Sequence, residues 1–243
     1  MNSEIIVISY LLTETLTGER FGMIYNFSER NINIDSTFRC PLECPKCQRQ
    51  GLRRMGQKIP GEDMSFKSFK KLADYFKKII LCGQISDPIF NPNLHEMLKY
   101  AYENKVTTYI NTAASQRKMP WYEKAFDVNP DARWTFGVDG LPKDSHKYRI
   151  NQDGEHLYEV MKMGAKKGMN IVWQYIVFRY NEDDIETCRK MAEDNDIIFD
   201  LNISGRWTAA DEYKPKNPKN YLNSNRKRDH RVFKRSSISG KMK

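Results

Sequence analysis

The chain has no long apolar run, only four histidines and only five cysteines, and each scarcity removes a class of protein. Its apolar N-terminal stretch, residues 4–12, is too short to cross a bilayer and carries an acid where a secretory leader carries basic residues. A membrane role is therefore not expected. Five cysteines is an odd count, three of them are crowded together, and 243 residues is long for a stapled mini-domain, so a disulfide framework is excluded. Unpaired thiols without a targeting segment point to a reducing cytoplasm. One-signed charge is also missing from most of the chain. Residues 1–205 hold 28 basic and 28 acidic side chains, while 206–243 hold twelve basic and three acidic, so the formal +9 lies wholly in the tail. At 40% hydrophobic the chain can build one core of ordinary size.

The most informative segment is Cys40-Pro-Leu-Glu-Cys44-Pro-Lys-Cys47, with no fourth cysteine nearby. Three thiolates at this spacing can hold three irons of a cubane cluster and leave the fourth open, and an open iron does chemistry. Structural zinc needs four ligands, usually as two separated pairs, and no second pair follows. A redox Cys-x-x-Cys pair would explain Cys44 and Cys47 but leave Cys40 idle. Spacing favours a cluster and leaves zinc and plain thiols as alternatives.

Residues 1–30 read as an extended preamble, with strands 5–10 and 21–25 in a hairpin about Thr17-Gly18-Glu19. Strand and helix patterns then alternate. Strands are expected at 31–37, 79–82, 106–110, 133–138, 171–178 and 197–201. Helices are expected at 65–79 with Ser65 as cap, from Asn93, at 121–126, at 155–167 ended by Gly168, and at 183–193. Such alternation implies an α/β fold with a parallel sheet, and six units are too few for a closed eight-unit barrel. The expectation is a partial (βα)6 TIM-like barrel over 31–205, with a basic C-terminal tail over 206–243. Active-site groups of such folds sit on loops after the strands, and here those loops hold every polar group singled out below.

On these residues the chain resembles the radical S-adenosylmethionine (SAM) superfamily, over roughly residues 31–205. Its pattern is closest to peptide-maturase-like members of the SPASM/twitch type, but without their C-terminal cysteine-rich domain, because no cysteine follows Cys188. The resemblance implies one [4Fe–4S] cluster on Cys40, Cys44 and Cys47. SAM would chelate the open iron, and one electron would cleave it to a 5′-deoxyadenosyl radical that abstracts a substrate hydrogen. It also implies a flavodoxin- or ferredoxin-like electron donor. Gly83, Gln84 and Asp87 stand where the family binds the SAM ammonium through main-chain oxygen and a carboxylate. Asn111 and Ser115 stand near the ribose, and Asp139 at a further contact to SAM or substrate. Arg149 and Gln174 are candidates for the substrate, Arg149 through a two-pronged contact to a carboxylate. The family's aromatic residue before the third cysteine is replaced by Lys46. Cys82 and Cys188 read as core thiols.

After Arg206 periodicity fades, and Lys214-Pro-Lys-Asn-Pro-Lys219 excludes a helix interior. The tail reads as solvated chain or as a grip on nucleic acid, with Tyr221 and Phe233 available to stack. Residues 207–213 can alternatively cover the open side of the barrel. The substrate is then a peptide or protein, by resemblance, or a nucleotide or nucleic acid, by charge. The alternative to an enzyme is a zinc- or cluster-stabilised nucleic-acid-binding module.

Overall fold

The computed structural model describes residues 23–26 and 30–221. Seven strands form one sheet in chain order: β1 (Met23–Asn26), β2 (Asn31–Ile34), β3 (Lys78–Leu81), β4 (Thr107–Thr112), β5 (Arg133–Gly137), β6 (Asn170–Ile176) and β7 (Ile198–Asn202). β2 to β7 run parallel, and β1 pairs antiparallel with β2, Met23 opposite Ile34. Six helices join them: α1 (Gln48–Arg54), α2 (Phe66–Tyr75), α3 (Leu94–Glu103), α4 (Met119–Val128), α5 (Gly154–Lys166) and α6 (Ile185–Glu193). Among the described residues β7 pairs only with β6, so the sheet stays open between its edges, as a partial barrel does.

The elements follow from local chemistry. Ile32 and Ile34 of β2 are fully buried on one face, as strand alternation requires. Ser65 Oγ accepts the Ser68 N–H and starts α2, and Asp153 accepts the His156 N–H and starts α5. Gly168, at φ +77°, stops the turn after α5. β6 buries Ile171, Val172, Trp173 and Tyr175, a near-continuous apolar run expected of a strand covered on both faces. Between β4 and β6, Tyr122, Phe126, Trp134 and Phe136 pack ring on ring.

Several predicted bounds move. β2 stops at Ile34 because Asp35 turns to loop work, its carboxylate accepting the Gln84 and Ile85 N–H groups and the Ser86 hydroxyl. α2 stops at Tyr75, not 79. Asn93 begins α3, but its side chain donates to the Met64 carbonyl rather than capping the helix. α1 was not expected at all. The predicted strand 5–10 lies outside the described residues, and β1 finds β2 as its partner. Residues 206–221, counted with the tail, fold back on the barrel, while 222–243, Phe233 included, lie outside the described residues. No helix among the described residues is long and apolar enough to cross a membrane.

Candidate cofactor cleft

The cysteine loop leaves the end of β2 and is pinned from both sides. Arg49, 5% exposed, donates to the carbonyls of Phe38 (2.6 Å), Ile85 (2.8 Å) and Cys40 (3.4 Å). Opposite, Glu43 N–H donates to the Ile150 carbonyl and Asn151 Nδ2 to the Pro41 carbonyl. Within the loop, Cys47 N–H donates to the Cys44 carbonyl at 2.9 Å, closing a tight turn about Pro45 and Lys46. Cys40, Cys44 and Cys47 are free and half-buried. Burial pushes the Cys40 thiol up to about 12, with Asp87 adding to the shift and Arg49 opposing it. Burial also raises Cys44, against the pull of Arg149. Ligation of a metal must therefore displace protons from buried thiols.

Among the described residues no three His, Cys, Asp or Glu side chains are placed to hold a single metal ion. A cubane asks for something else, since each thiolate takes its own iron and the three sulfurs need not converge on one point. One buried donor at the start of α1, Arg49 Nε, has no partner, and Arg49 lines the cleft. It suits a group that brings sulfide and thiolate acceptors. The donor set fits a cluster.

All three cysteines line one open cleft of about 510 Å³ at the C-terminal ends of the strands. Of the other predicted residues, Gly83, Gln84, Asp87, Asn111, Arg149 and Gln174 line it too. Gly83 and Gln84 are exposed there. A Cβ on Gly83 would stand 2.6 Å from the Ser86 carbonyl oxygen, so this tight loop requires glycine.

Three of the predicted residues, Asp87, Asp139 and Ser115, have their side chains bonded within the protein. Asp87 is 3% exposed, and its carboxylate accepts four hydrogen bonds, from Thr112 Oγ1 (2.8 Å) and the N–H groups of Ile89, Ala113 and Ala114. Burial raises its pKa while those bonds oppose the shift. It ties the loop after β3 to the loop after β4 at the floor of the cleft. Asp139 is wholly buried and does not line the cleft. Its Oδ1 accepts the Ile176 N–H, and its Oδ2 accepts Arg149 Nε at 2.7 Å. Ser115 does not line it either, and its hydroxyl accepts the Asp153 N–H at the start of α5.

Arg149 is the cleft's fixed cation. Burial alone would lower its pKa, but Asp139 and Cys44 beside it hold it above the ordinary value. Its outer nitrogens lie over Gly137, where a Cβ would stand 2.8 Å from Nη2. Sequence reasoning missed Arg49, which carries no motif, and counted Arg206 with the tail although it lines the cleft.

Together these features make an open parallel half-barrel of the partial TIM-barrel kind, with a three-cysteine loop after its first parallel strand. No family model and no curated protein matches the chain. Solved structures do match. SuiB of Streptococcus suis superposes with a TM-score of 0.56 at 15% identity, over 75% of this chain and 41% of that one. A structure of anSMEcpe with bound AdoMet and Cp18Cys peptide gives 0.55 at 14%, over 76% and 54%. Methylornithine synthase (PylB) gives 0.53 at 14%, over 71% and 52%. At such identity the likeness is one of fold, and the chain spans about half or less of each of these proteins.

Proposed function

We propose that this chain is a radical SAM enzyme with a single cluster. The observation that carries the reading is the convergence of Cys40, Cys44 and Cys47 with Gly83, Gln84, Asn111 and Arg149 on one cleft at the C-terminal ends of parallel strands. A [4Fe–4S] cluster on the three thiolates supplies one electron for reductive cleavage of SAM, and so for hydrogen abstraction from a substrate. The chain's own residues bind and orient. The exposed backbone at Gly83 and Gln84 meets the SAM ammonium, the outer nitrogens of Arg149 meet the SAM carboxylate rather than the substrate's, and Asn111 bonds ribose hydroxyls. Asp87 and Asp139 hold these groups in place from beneath, and Gln174 on β6 faces the substrate.

A peptide or protein substrate is favoured, because SuiB and anSMEcpe also occur in structures with a bound peptide. The electron comes from a flavodoxin- or ferredoxin-like carrier. Residues 44–61 hold Lys46, Arg49, Arg53, Arg54 and Lys58 and no acid, a composition suited to an acidic carrier. The test is anaerobic reconstitution with iron and sulfide, reduction and addition of SAM. The expected product is 5′-deoxyadenosine. A chain that stays colourless with iron and sulfide yet binds zinc tightly sinks the reading.

A further inference from the structure

Beyond the cysteine loop, the segment after β7 forms another wall of the cleft. It is tied down at both ends. Lys46, between two of the cysteines, forms an ion pair with Asp211, which is 8% exposed, and lies 5.5 Å from the Trp207 ring. At the far end Glu182 accepts the N–H groups of Lys216 (2.9 Å) and Asn217 (3.0 Å). Between them Tyr213 packs edge-on against Tyr148, centroids 5.1 Å apart. This seats Arg206 at the cleft, where its Nη2 donates to the Tyr148 hydroxyl at 3.2 Å. Its guanidinium lies 5.8 Å from the Tyr148 ring and 5.7 Å from the Trp207 ring.

Beside its three cysteines the cleft is lined by four cations, Lys46, Arg49, Arg149 and Arg206, and one carboxylate, Asp87. Asp87 is saturated by its four donors. Lys46 is committed to Asp211, Arg49 to three carbonyls and Arg149, through Nε, to Asp139. Among the described residues no carboxylate pairs with Arg206, whose hydrogen-bond acceptor is a neutral phenol. Burial holds that phenol up at about 12, against the pull of Arg206, so it stays protonated. A guanidinium presents a planar fork of donors that matches a carboxylate or a phosphate. Arg149, beside Cys44, is the inner fork and Arg206 the outer one, so two anionic groups can be held at once.

We propose that Arg206 is the anion-recognising residue at the mouth of this cleft, and that the substrate presents a carboxylate or a phosphate to it. This rests on the reading of the cleft as the site of SAM and substrate. The test uses the full reconstituted chain as wild type, Arg206→Gln and Arg206→Lys. Inorganic phosphate and glutarate are titrated separately, with intrinsic tryptophan fluorescence, to which Trp207 beside Arg206 contributes, as the reporter. All three proteins keep residues 222–243, so binding to the basic tail contributes equally to each.

Wild type is expected to bind at least one of the two anions. Affinity should fall about tenfold in Arg206→Gln and less in Arg206→Lys, which keeps the charge but not the fork. A response to phosphate marks a phosphate-bearing substrate, and a response to glutarate marks a carboxylate-bearing one. Binding of neither anion, or equal affinity in wild type and Arg206→Gln, overturns the proposal. SAM cleavage by the reduced wild type is assayed apart. Formation of 5′-deoxyadenosine without anion binding at Arg206 keeps the radical reading and removes this one. Anion binding without SAM cleavage does the reverse.

Discussion

Asp139 Oδ2 accepts Arg149 Nε at 2.7 Å, with Asp139 wholly buried and the Arg149 side chain 13% exposed. The carboxylate does not line the cleft, yet it sets where the guanidinium stands. Removing one partner of such a pair strands the other charge in the interior, at a typical cost of about 3–5 kcal/mol. Asp139→Ala should lose about that much in chemical denaturation, and its residual folded protein should bind SAM weakly. A loss below about 1 kcal/mol would show that the pair is not buried as described.

Gly137→Ala is a sharper probe of the same fork. The new methyl would collide with Arg149 Nη2, and overpacking of this kind costs roughly 1–3 kcal/mol. Cluster absorbance should be kept while SAM affinity drops. Unchanged affinity in calorimetry would separate Arg149 from SAM.

The five cysteines should divide in two. Serine at Cys40, Cys44 or Cys47 should abolish the visible absorbance of the reconstituted protein. Serine at Cys82 or Cys188 should keep it, since both are buried core thiols and neither lines the cleft. A colourless Cys188→Ser protein that is still folded by circular dichroism would contradict the assignment.

The segment after β7 should detach in acid. Burial tends to raise the Glu182 carboxyl, but the Asn217 and Lys216 N–H groups outweigh it and hold it below its ordinary value of 4.5. A depressed folded pKa means the stabilisation is complete above pH 4.5 and is lost as pH falls through the lower value. Limited proteolysis within 206–221 should therefore accelerate only below pH 4.5, and Glu182→Gln should flatten that dependence.

Charge reversal at Arg54 and Lys58 should slow reduction of the cluster by an acidic flavodoxin, and added salt should slow it in wild type. Reduction by dithionite should not change. Equal slowing with both reductants would point to damage at the cluster loop rather than to lost docking.

Much of this architecture can be read from local pattern. β6 announces itself by the apolar run of Ile171 to Val177, and α5 by its helical spacing between Asp153 and Gly168. Both depend on neighbours a few residues apart. α1 has no apolar stripe to betray it. Its sequence, Gln-Arg-Gln-Gly-Leu-Arg-Arg, reads as charged loop, and it is anchored by Arg49 reaching carbonyls 9, 11 and 36 residues away.

The cysteine spacing and the alternation of strand and helix were enough to specify the half-barrel and the place of its three thiols, because both are written in short-range periodicity. The roles of the charged residues were not. Asp87, Asp139 and Arg206 are ordinary in sequence. Whether such a group faces a ligand or is consumed by the loops depends on which donors reach it. Those donors come from segments that are adjacent in space and distant in chain, as with Lys46 and Asp211, 165 residues apart. Burial then fixes the outcome, because a charge removed from water has to be satisfied by whatever the folded chain places beside it.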